Sequence, residues 1–428
     1  MWLELKKSPA TDRPVSELKA PIKIFLPLKQ FKGAMPSICV KEGERVLLGQ
    51  PVAKSAEGIS CALHSPVSGT VTEITVTEQL EGERSPVIVI ENDGKDIPYK
   101  RQLNSRSPLP KGAAVIEAVS SYAVVAAESD LPLWVRLAEM AEKKVKTIII
   151  NAVESEPYIC SSQKIMEENA EEVAQGLMLI MSAAGAKSAM LAVSDDVPSE
   201  IIEGVKNNAR LQGIALKVVH VPQKYPLGIE RYLICHLIAH GEIGSQNNTK
   251  KTLTADVDAE FVYAEDCLNV SRAAAGRPQL SRIITVAGDA VGNPQNLEVR
   301  IGSTVRDVLD HCGLSFEPDR VVIGGAMRGV AASSLDTPIT KTVSAVLALR
   351  HERPGSTKSI CINCGRCVGV CPEGLLPNYI AMRAVKADFD ALRALYINEC
   401  RECGLCSYVC PGRMPIVELI KNIKKAAL

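Results

Sequence analysis

Eight cysteines fall in two short runs. Cys361-Ile-Asn-Cys-Gly-Arg-Cys-Val-Gly-Val-Cys-Pro372 is followed by Cys400-Arg-Glu-Cys-Gly-Leu-Cys-Ser-Tyr-Val-Cys-Pro411. Each run reads C-x2-C-x2-C-x3-C-P. Three thiolates at this interval can wrap one iron–sulfur cluster, while the fourth reaches across to the other in two-cluster ferredoxins. The spacing predicts two 4Fe–4S clusters. Cys361, Cys364, Cys367 and Cys410 would hold one, and Cys400, Cys403, Cys406 and Cys371 the other. Zinc sites are usually built as two separated ligand pairs, and two complete quartets each ending in Cys-Pro fit that pattern poorly. Gly365, Gly369 and Gly404 let the backbone approach the clusters, and Pro372 and Pro411 stop the local turn.

The remaining six cysteines (Cys39, Cys61, Cys160, Cys235, Cys267, Cys312) are scattered. Such thiols are usually small buried hydrophobes. Cys160 alone lies near a candidate site, without an evident basic partner to activate it. The six histidines share no metal-ligand spacing. No Ser/His/Asp set, P-loop or H-E-x-x-H is present, and no catalytic residue is assigned.

The elements that must position these cysteines lie upstream. At 428 residues the chain suggests roughly two to four domains. Lys+Arg and Asp+Glu both number 49, which argues against a broadly basic nucleic-acid surface. MWLELKKSPATDRP is no signal peptide, and no apolar run spans a bilayer. The expected location is cytoplasmic, with any membrane docking peripheral.

Residues 22–98 alternate short strands with Gly-marked turns, as in a small barrel or sandwich. Residues 104–250 alternate helices and strands, which implies a mainly parallel sheet whose carboxyl edge binds ligands. KTIIINAV ends at that edge in Asn151-Ala-Val-Glu-Ser-Glu-Pro-Tyr158. Residues 164–185 read as one long helix. From 251 strands return with one helix, a β-grasp pattern, with Ser303 as N-cap. Gly324 and Gly325 lack nucleotide-loop spacing and read as a turn. HERPGSTKS (351–359) reads as a linker. Helices at 375–395 and 415–428 flank the quartets. The expected domains are 1–103 (barrel-sandwich, lipoyl-like), 104–250 (Rossmann-like α/β), 251–350 (β-grasp) and 351–428 (α-helical dicluster ferredoxin), a multidomain α/β protein.

This module order, with Pro27-Leu-Lys-Gln30, Gly33-Ala-Met-Pro36, His64-Ser-Pro-Val-Ser-Gly-Thr-Val71, Lys224-Tyr-Pro226, Asn296-Leu-Glu-Val-Arg-Ile-Gly302 and Gly324-Gly-Ala-Met-Arg-Gly329, resembles the RnfC family. Those proteins are the NADH-facing subunits of Rnf ferredoxin:NAD oxidoreductases. The likeness is strongest to the short electron-transfer branch associated with D-proline reductase. It implies an N-terminal barrel, a domain like the flavin-bearing subunit of respiratory complex I, a soluble-ligand-binding β-grasp (SLBB) and a two-cluster ferredoxin. It also implies a flavin site beside Asn151, Glu154 and Glu156.

One motif departs. Where the family carries G-L-G-G-A-G-F-P-T, this chain reads Val125-Ala-Ala-Glu-Ser-Asp-Leu-Pro-Leu133. Glycines let a backbone cradle phosphate, and a helix start attracts anions. Glu128 and Asp130 instead supply negative charge that satisfies the dipole and repels phosphate. FMN and NADH are disfavoured there, and Asn151, Glu154 and Glu156 become a vestige. The expected activity is electron transfer between a donor and a partner reductase, ferredoxin or flavoprotein, in anaerobic metabolism. The alternative is an NADH-dependent FMN iron–sulfur oxidoreductase with a rebuilt flavin pocket.

Overall fold

The structure, a computed structural model, describes residues 3–4, 8–82, 84–99, 109–244, 257–350 and 360–427. The linker expected over 351–359 lies outside them, as do the boundaries expected at 103 and 250.

The first module is two small antiparallel sheets closed on each other. Lys23–Pro27, Arg84–Asn92, Gly69–Glu78 and Arg45–Val46 form one; Ser37–Ile38, Pro51–Lys54 and Leu63–His64 form the other. Alternating side chains such as Ile24, Leu26, Ile88 and Ile90 fill the space between them. The extreme N-terminal segment does not stay in this module. Ser16–Glu17 pairs with Leu297 and Glu298 of the β-grasp sheet.

The second module is a parallel sheet in the order Leu216–Val221, Ser188–Ser194, Thr147–Ala152, Ala259–Tyr263. Its central strand, Thr-Ile-Ile-Ile-Asn-Ala, is buried on both faces by helices, which explains its unbroken apolar run. The boundary expected at 250 falls too early. Ala259–Tyr263 is an edge strand of this sheet, and the helix Ala264–Ala274 packs against Ala170–Ala184. Five residues of strand followed at once by a helix are half of a βα unit, and parallel pairing with Thr147–Asn151 claims them. The long helix expected over 164–185 is two, Ser161–Glu168 and Ala170–Ala184. Asn169 leaves helical geometry at φ −126°, ψ 28°, and turns the chain while the apolar spacing continues past it.

The third module pairs Ser281–Ala287 with Gln295–Arg300 as the expected hairpin. Ala345–Leu349 lies parallel beside the first of these strands, and Arg320–Ile323 lies beyond it. The helix Val305–Cys312 starts at Thr304, not at Ser303. Thr304 and Asp307 form a reciprocal capping box, with Asp307 N–H to Thr304 Oγ1 at 3.2 Å and Thr304 N–H to Asp307 Oδ2 at 2.7 Å.

The last module is helical. Arg366–Val370 and Leu405–Tyr408 each follow a quartet's glycine-led turn, and Ile416–Ala427 closes the domain with Ile416, Ile420 and Ile423 buried. The helical stretch between the quartets divides into Pro377–Val385 and Phe389–Ala394. Ala387 at φ +50° breaks it, and Asp388 caps the second piece through Ala391 N–H at 3.2 Å.

Candidate functional site

The quartets are brought together crosswise. Cys361, Cys364, Cys367 and Cys410 line one cavity of about 20 Å³, and Cys371, Cys400, Cys403 and Cys406 line a second of about 20 Å³. The crossing follows from the helical turn after each third cysteine, which carries the fourth away from its own trio. Among the described residues no three His, Cys, Asp or Glu groups converge as a single ion requires. Four thiols set around a cavity rather than a point suit a cluster better than a lone zinc.

Backbone amides approach the sulfurs. Leu375 N–H reaches Cys371 Sγ at 3.4 Å, Met414 N–H reaches Cys410 Sγ at 3.4 Å and Glu402 N–H reaches Cys400 Sγ at 3.5 Å. Burial pushes the Cys403 thiol up to about 11 and the Cys406 thiol up to about 12. Thiolates in that environment need cationic metal beside them, so metal binding there would release protons.

The two cavities have different neighbours. The Cys371/Cys400/Cys403/Cys406 cavity is lined on one side by Tyr232 of the parallel-sheet module. Tyr225 O–H donates to the Cys403 carbonyl, and Tyr225 packs on Leu405. Arg231 grips Glu373 with Nε at 2.8 Å and Nη2 at 3.3 Å. Lys421 Nζ donates to Arg328 O at 3.0 Å. Gly404 at φ +77° meets the Met327 carbonyl so closely that an added Cβ would lie 2.5 Å from it. We call this the inner quartet. The outer quartet contains the exposed Cys364, and the flanking Gly365 and Arg366 are also exposed.

The strand-end loop holds Asn151, Glu154 and Glu156, and each has a bracing contact. Asn151 Nδ2 donates to Gly228 O at 2.8 Å, and its Oδ1 accepts from Val153 N–H at 3.2 Å. Glu154 accepts from Gln163 N–H at 3.3 Å. Glu156 accepts from Met327 N–H at 2.8 Å, and its other oxygen has no hydrogen-bond partner among the described residues. Burial raises Glu156 to about 7, with Arg328 opposing the shift. Gly325 has no room for a side chain because the Glu156 carboxyl group occupies the space its Cβ would need. The turn Gly324–Gly329 thus bridges Glu156 to Gly404 of the inner quartet.

The segment Val125–Leu133 is a closed hairpin-like loop. Val125 N–H donates to Gln279 Oε1 at 3.0 Å, Ala126 N–H to Leu131 O at 2.8 Å, Ala127 N–H to Asp266 Oδ1 at 2.9 Å and Leu133 N–H to Val124 O at 2.9 Å. Asp130 keeps a glycine-like φ of +53°. Glu128, with its side chain 27% exposed, faces Arg328 at 3.7 Å. Behind the loop lies a cavity of about 30 Å³ bordered by Glu128, Glu154, Tyr263, Glu265 and Arg282. Glu265 pairs with Arg282 at 3.0 Å, yet burial holds its carboxyl up at about 7. An open cleft of about 420 Å³ adjoins, lined by Lys29, Lys32, Glu128, Glu156 and Arg328 among others.

Sequence reasoning missed Tyr225, Tyr232, Arg231 and Met327 as neighbours of the inner quartet. Lys224-Tyr-Pro226 is a visible motif, but spacing alone carries no sign of what the tyrosine touches. Cys160 is buried, with its thiol raised by that burial, and Asn296 and Thr285 lie beside it.

Barrel, parallel α/β sheet, β-grasp module and crossed cysteine quartets define a multidomain iron–sulfur electron-transfer protein. Family models match in the same order: the RnfC barrel sandwich hybrid domain over 2–95, the Nuo51 FMN-binding domain over 121–272, the SLBB domain over 283–331 and a 4Fe–4S dicluster domain over 353–412. The FMN-domain match runs to 272, in keeping with the strand and helix that the structure adds to the sheet. The chain is 34% identical to a subunit of the proton-translocating ferredoxin:NAD(+) oxidoreductase complex of Clostridium ljungdahlii, over 91% of this chain and 84% of that protein. It is 32% identical to a subunit of the Na(+)-translocating ferredoxin:NAD(+) oxidoreductase complex of Acetobacterium woodii, over 88% of this chain and 84% of that protein. A longer relative, from the ion-translocating oxidoreductase complex of Pseudomonas aeruginosa, is 32% identical over 92% of this chain, which spans 51% of it. The chain belongs to the RnfC family. In fold it is similar to a chain of an NAD+-reducing NiFe hydrogenase, with TM-score 0.52 and 15% identity over 73% of this chain and 60% of that one. Among the described residues no helix is long and apolar enough to cross a membrane.

Proposed function

We propose that this chain carries electrons between a protein donor and a partner reductase through two 4Fe–4S clusters, with no flavin at the strand-end loop. Bound clusters would supply one-electron chemistry; the chain supplies position, insulation and docking. Cys361, Cys364, Cys367 and Cys410 hold the outer site, and Cys371, Cys400, Cys403 and Cys406 the inner. Ile416 puts apolar surface on the outer cavity, and Ile380 and Ile420 put it on the inner one. Tyr225, Tyr232 and the Arg231–Glu373 pair hold the inner site against the parallel-sheet module.

The observation that carries this reading is the loop Val125–Leu133. Its amides at 125, 126, 127 and 133 all donate within the protein, so none of these is free for a phosphate. Glu128 and Asp130 add negative charge, and the cavity behind the loop, about 30 Å³, is far too small for a flavin, while the roomier cleft of about 420 Å³ on its open side is lined by those same two carboxylates and Glu156. The residues present do not fit FMN there. From the sequence resemblance to the D-proline reductase branch we further propose anaerobic amino-acid fermentation as the setting, with that reductase as the candidate partner. Docking to a membrane complex would be peripheral.

A second reading has specific support. The FMN-binding family match, the names of the relatives and the adjoining cleft with Lys29, Lys32 and Arg328 favour an NADH-dependent flavoprotein subunit with a relocated flavin. Anaerobic purification with iron, sulfide and flavin quantified separates the two. About eight iron per chain, broad absorbance and no acid-released flavin are expected. Stoichiometric flavin bleached by NADH would overturn the first reading.

A further inference from the structure

We propose that Lys424 is the tuning residue of the inner site, an ammonium held by Glu402 against the turn around Cys400 that favours reduction there. The inference rests on the electron-transfer reading and adds what sets the two sites apart in potential. The closing helix Ile416–Ala427 places the lysine. Val417 and Ile420 line the inner cavity, and Lys424 follows Ile420 by four residues, on the same helix face. Its Nζ donates to the carbonyl of Cys400 at 3.1 Å and to Glu402 Oε1 at 2.7 Å. The Lys424 side chain is 20% exposed, so salt and water screen it less than a surface charge. Glu402 in turn donates its N–H to Cys400 Sγ at 3.5 Å.

The outer quartet has the same turn with a neutral residue in it. Glu402 at φ +56° occupies the place of Asn363 at φ +53°. Asparagine tolerates the left-handed region, whereas glutamate is strained there, and the Lys424 ion pair is a contact that offsets the strain. Asn363 instead accepts from the Cys361 thiol at 3.5 Å. The charged residue lining the outer cavity, Arg366, is exposed and screened. Each electron taken up adds one negative charge inside four thiolates, so a cation beside them favours uptake and a carboxylate disfavours it. The ion pairs at the inner quartet balance: Arg231 and Arg401 with Glu373 and Glu399, and Lys424 with Glu402. Taking away Lys424 alone therefore leaves Glu402 unopposed. Burial raises the Cys400 thiol, the Glu402 N–H and then Lys424 oppose that rise, and Lys424 outweighs the Glu402 carboxylate there. The pair thus meets this ligand with its positive end.

The test is a poised redox titration of the full chain with its iron, followed by electron paramagnetic resonance. The signal lost in Cys403→Ser marks the inner site. At a fixed potential Lys424→Met should lower the reduced-to-oxidised ratio of the inner site about tenfold, or about 59 mV for one electron, with the outer site within about twofold of native. Lys424→Gln keeps a donor for the Cys400 carbonyl and drops the charge, and should fall as Lys424→Met does. Lys424→Arg keeps the charge and should return most of the shift. Iron and sulfide should hold at the native content in all three. An inner site within about twofold of native in a neutral variant that keeps its iron, or an outer site that moves as far as the inner, would overturn the tuning role. So would a Lys424→Arg variant that returns none of the shift. Iron loss from both neutral variants would overturn it too, by making Lys424 a brace for the site. Failure of dithionite to reduce the native chain would sink the electron-transfer reading itself, whatever Lys424 does.

Discussion

The two quartets share one spacing and differ in everything around it. The inner quartet is clamped by Tyr225, by the Arg231–Glu373 pair and by the Met327–Gly404 approach. The outer cavity is lined by residues of its own module, and Cys364 stands exposed. The shared Cys, Gly and Pro spacing folds into the same glycine-led turn and short helix in each. The contrast teaches that position, not motif, decides which quartet is braced by the neighbouring modules and which stands open.

Removing one thiol from each quartet is the strongest way to break the comparison. Cys403→Ser and Cys364→Ser should each lose one of two paramagnetic signals and about half the iron. Only Cys403→Ser should also loosen the ferredoxin module from the rest, seen as faster limited proteolysis within 400–412. Equal proteolysis of both variants would remove the anchoring distinction. Next in size are the two helix-leading glycines. Gly365 at φ +73° has open space around it, while Gly404 at φ +77° faces the Met327 carbonyl. Both alanine variants carry about 1 kcal/mol of left-handed strain. Gly404→Ala adds a backbone clash, about 1–3 kcal/mol more, readable in the denaturation midpoint. Similar midpoints would contradict the close approach.

Tyr225→Phe is gentler. It removes one hydrogen bond to the Cys403 carbonyl and should cost about 1 kcal/mol, with the inner signal shifted and the outer one unmoved. A separate test is the pH dependence under the inner quartet. Burial raises Glu156 to about 7 from 4.5, so the folded protein holds its proton where the unfolded chain has lost it. Stability from this group is full below pH 4.5 and is lost as pH rises through about 7. Glu265, also near 7, adds to the same window. Glu156→Gln should flatten, but not abolish, the fall in Tm across that window. An unchanged slope would show that Glu156 does not carry its share.

Much of this is legible in the sequence because its causes are local. The C-x2-C-x2-C-x3-C-P spacing limits how far apart its thiols can fall. The run Thr-Ile-Ile-Ile-Asn-Ala is short, apolar and β-branched, the pattern of a strand buried on both faces. The absence of glycine from residues 125–133 is visible directly. Other features are not local. That Ala259–Tyr263 belongs to the parallel sheet depends on a partner strand more than one hundred residues earlier. The helix break at Asn169 hides under an apolar period that persists across it. Thr304 rather than Ser303 caps its helix because Asp307 returns the hydrogen bond in that register alone.

By itself, then, the sequence determined the module order, the thiol spacing and the absence of glycines in the loop, since each is a property of residues near one another in the chain. Only the tertiary structure decided which quartet faces inward, how Glu156 reaches Gly404 through the turn at Met327, and that the amides at 125, 126, 127 and 133 are already taken. Those outcomes depend on contacts between segments distant in sequence, where spacing along the chain carries no information about proximity.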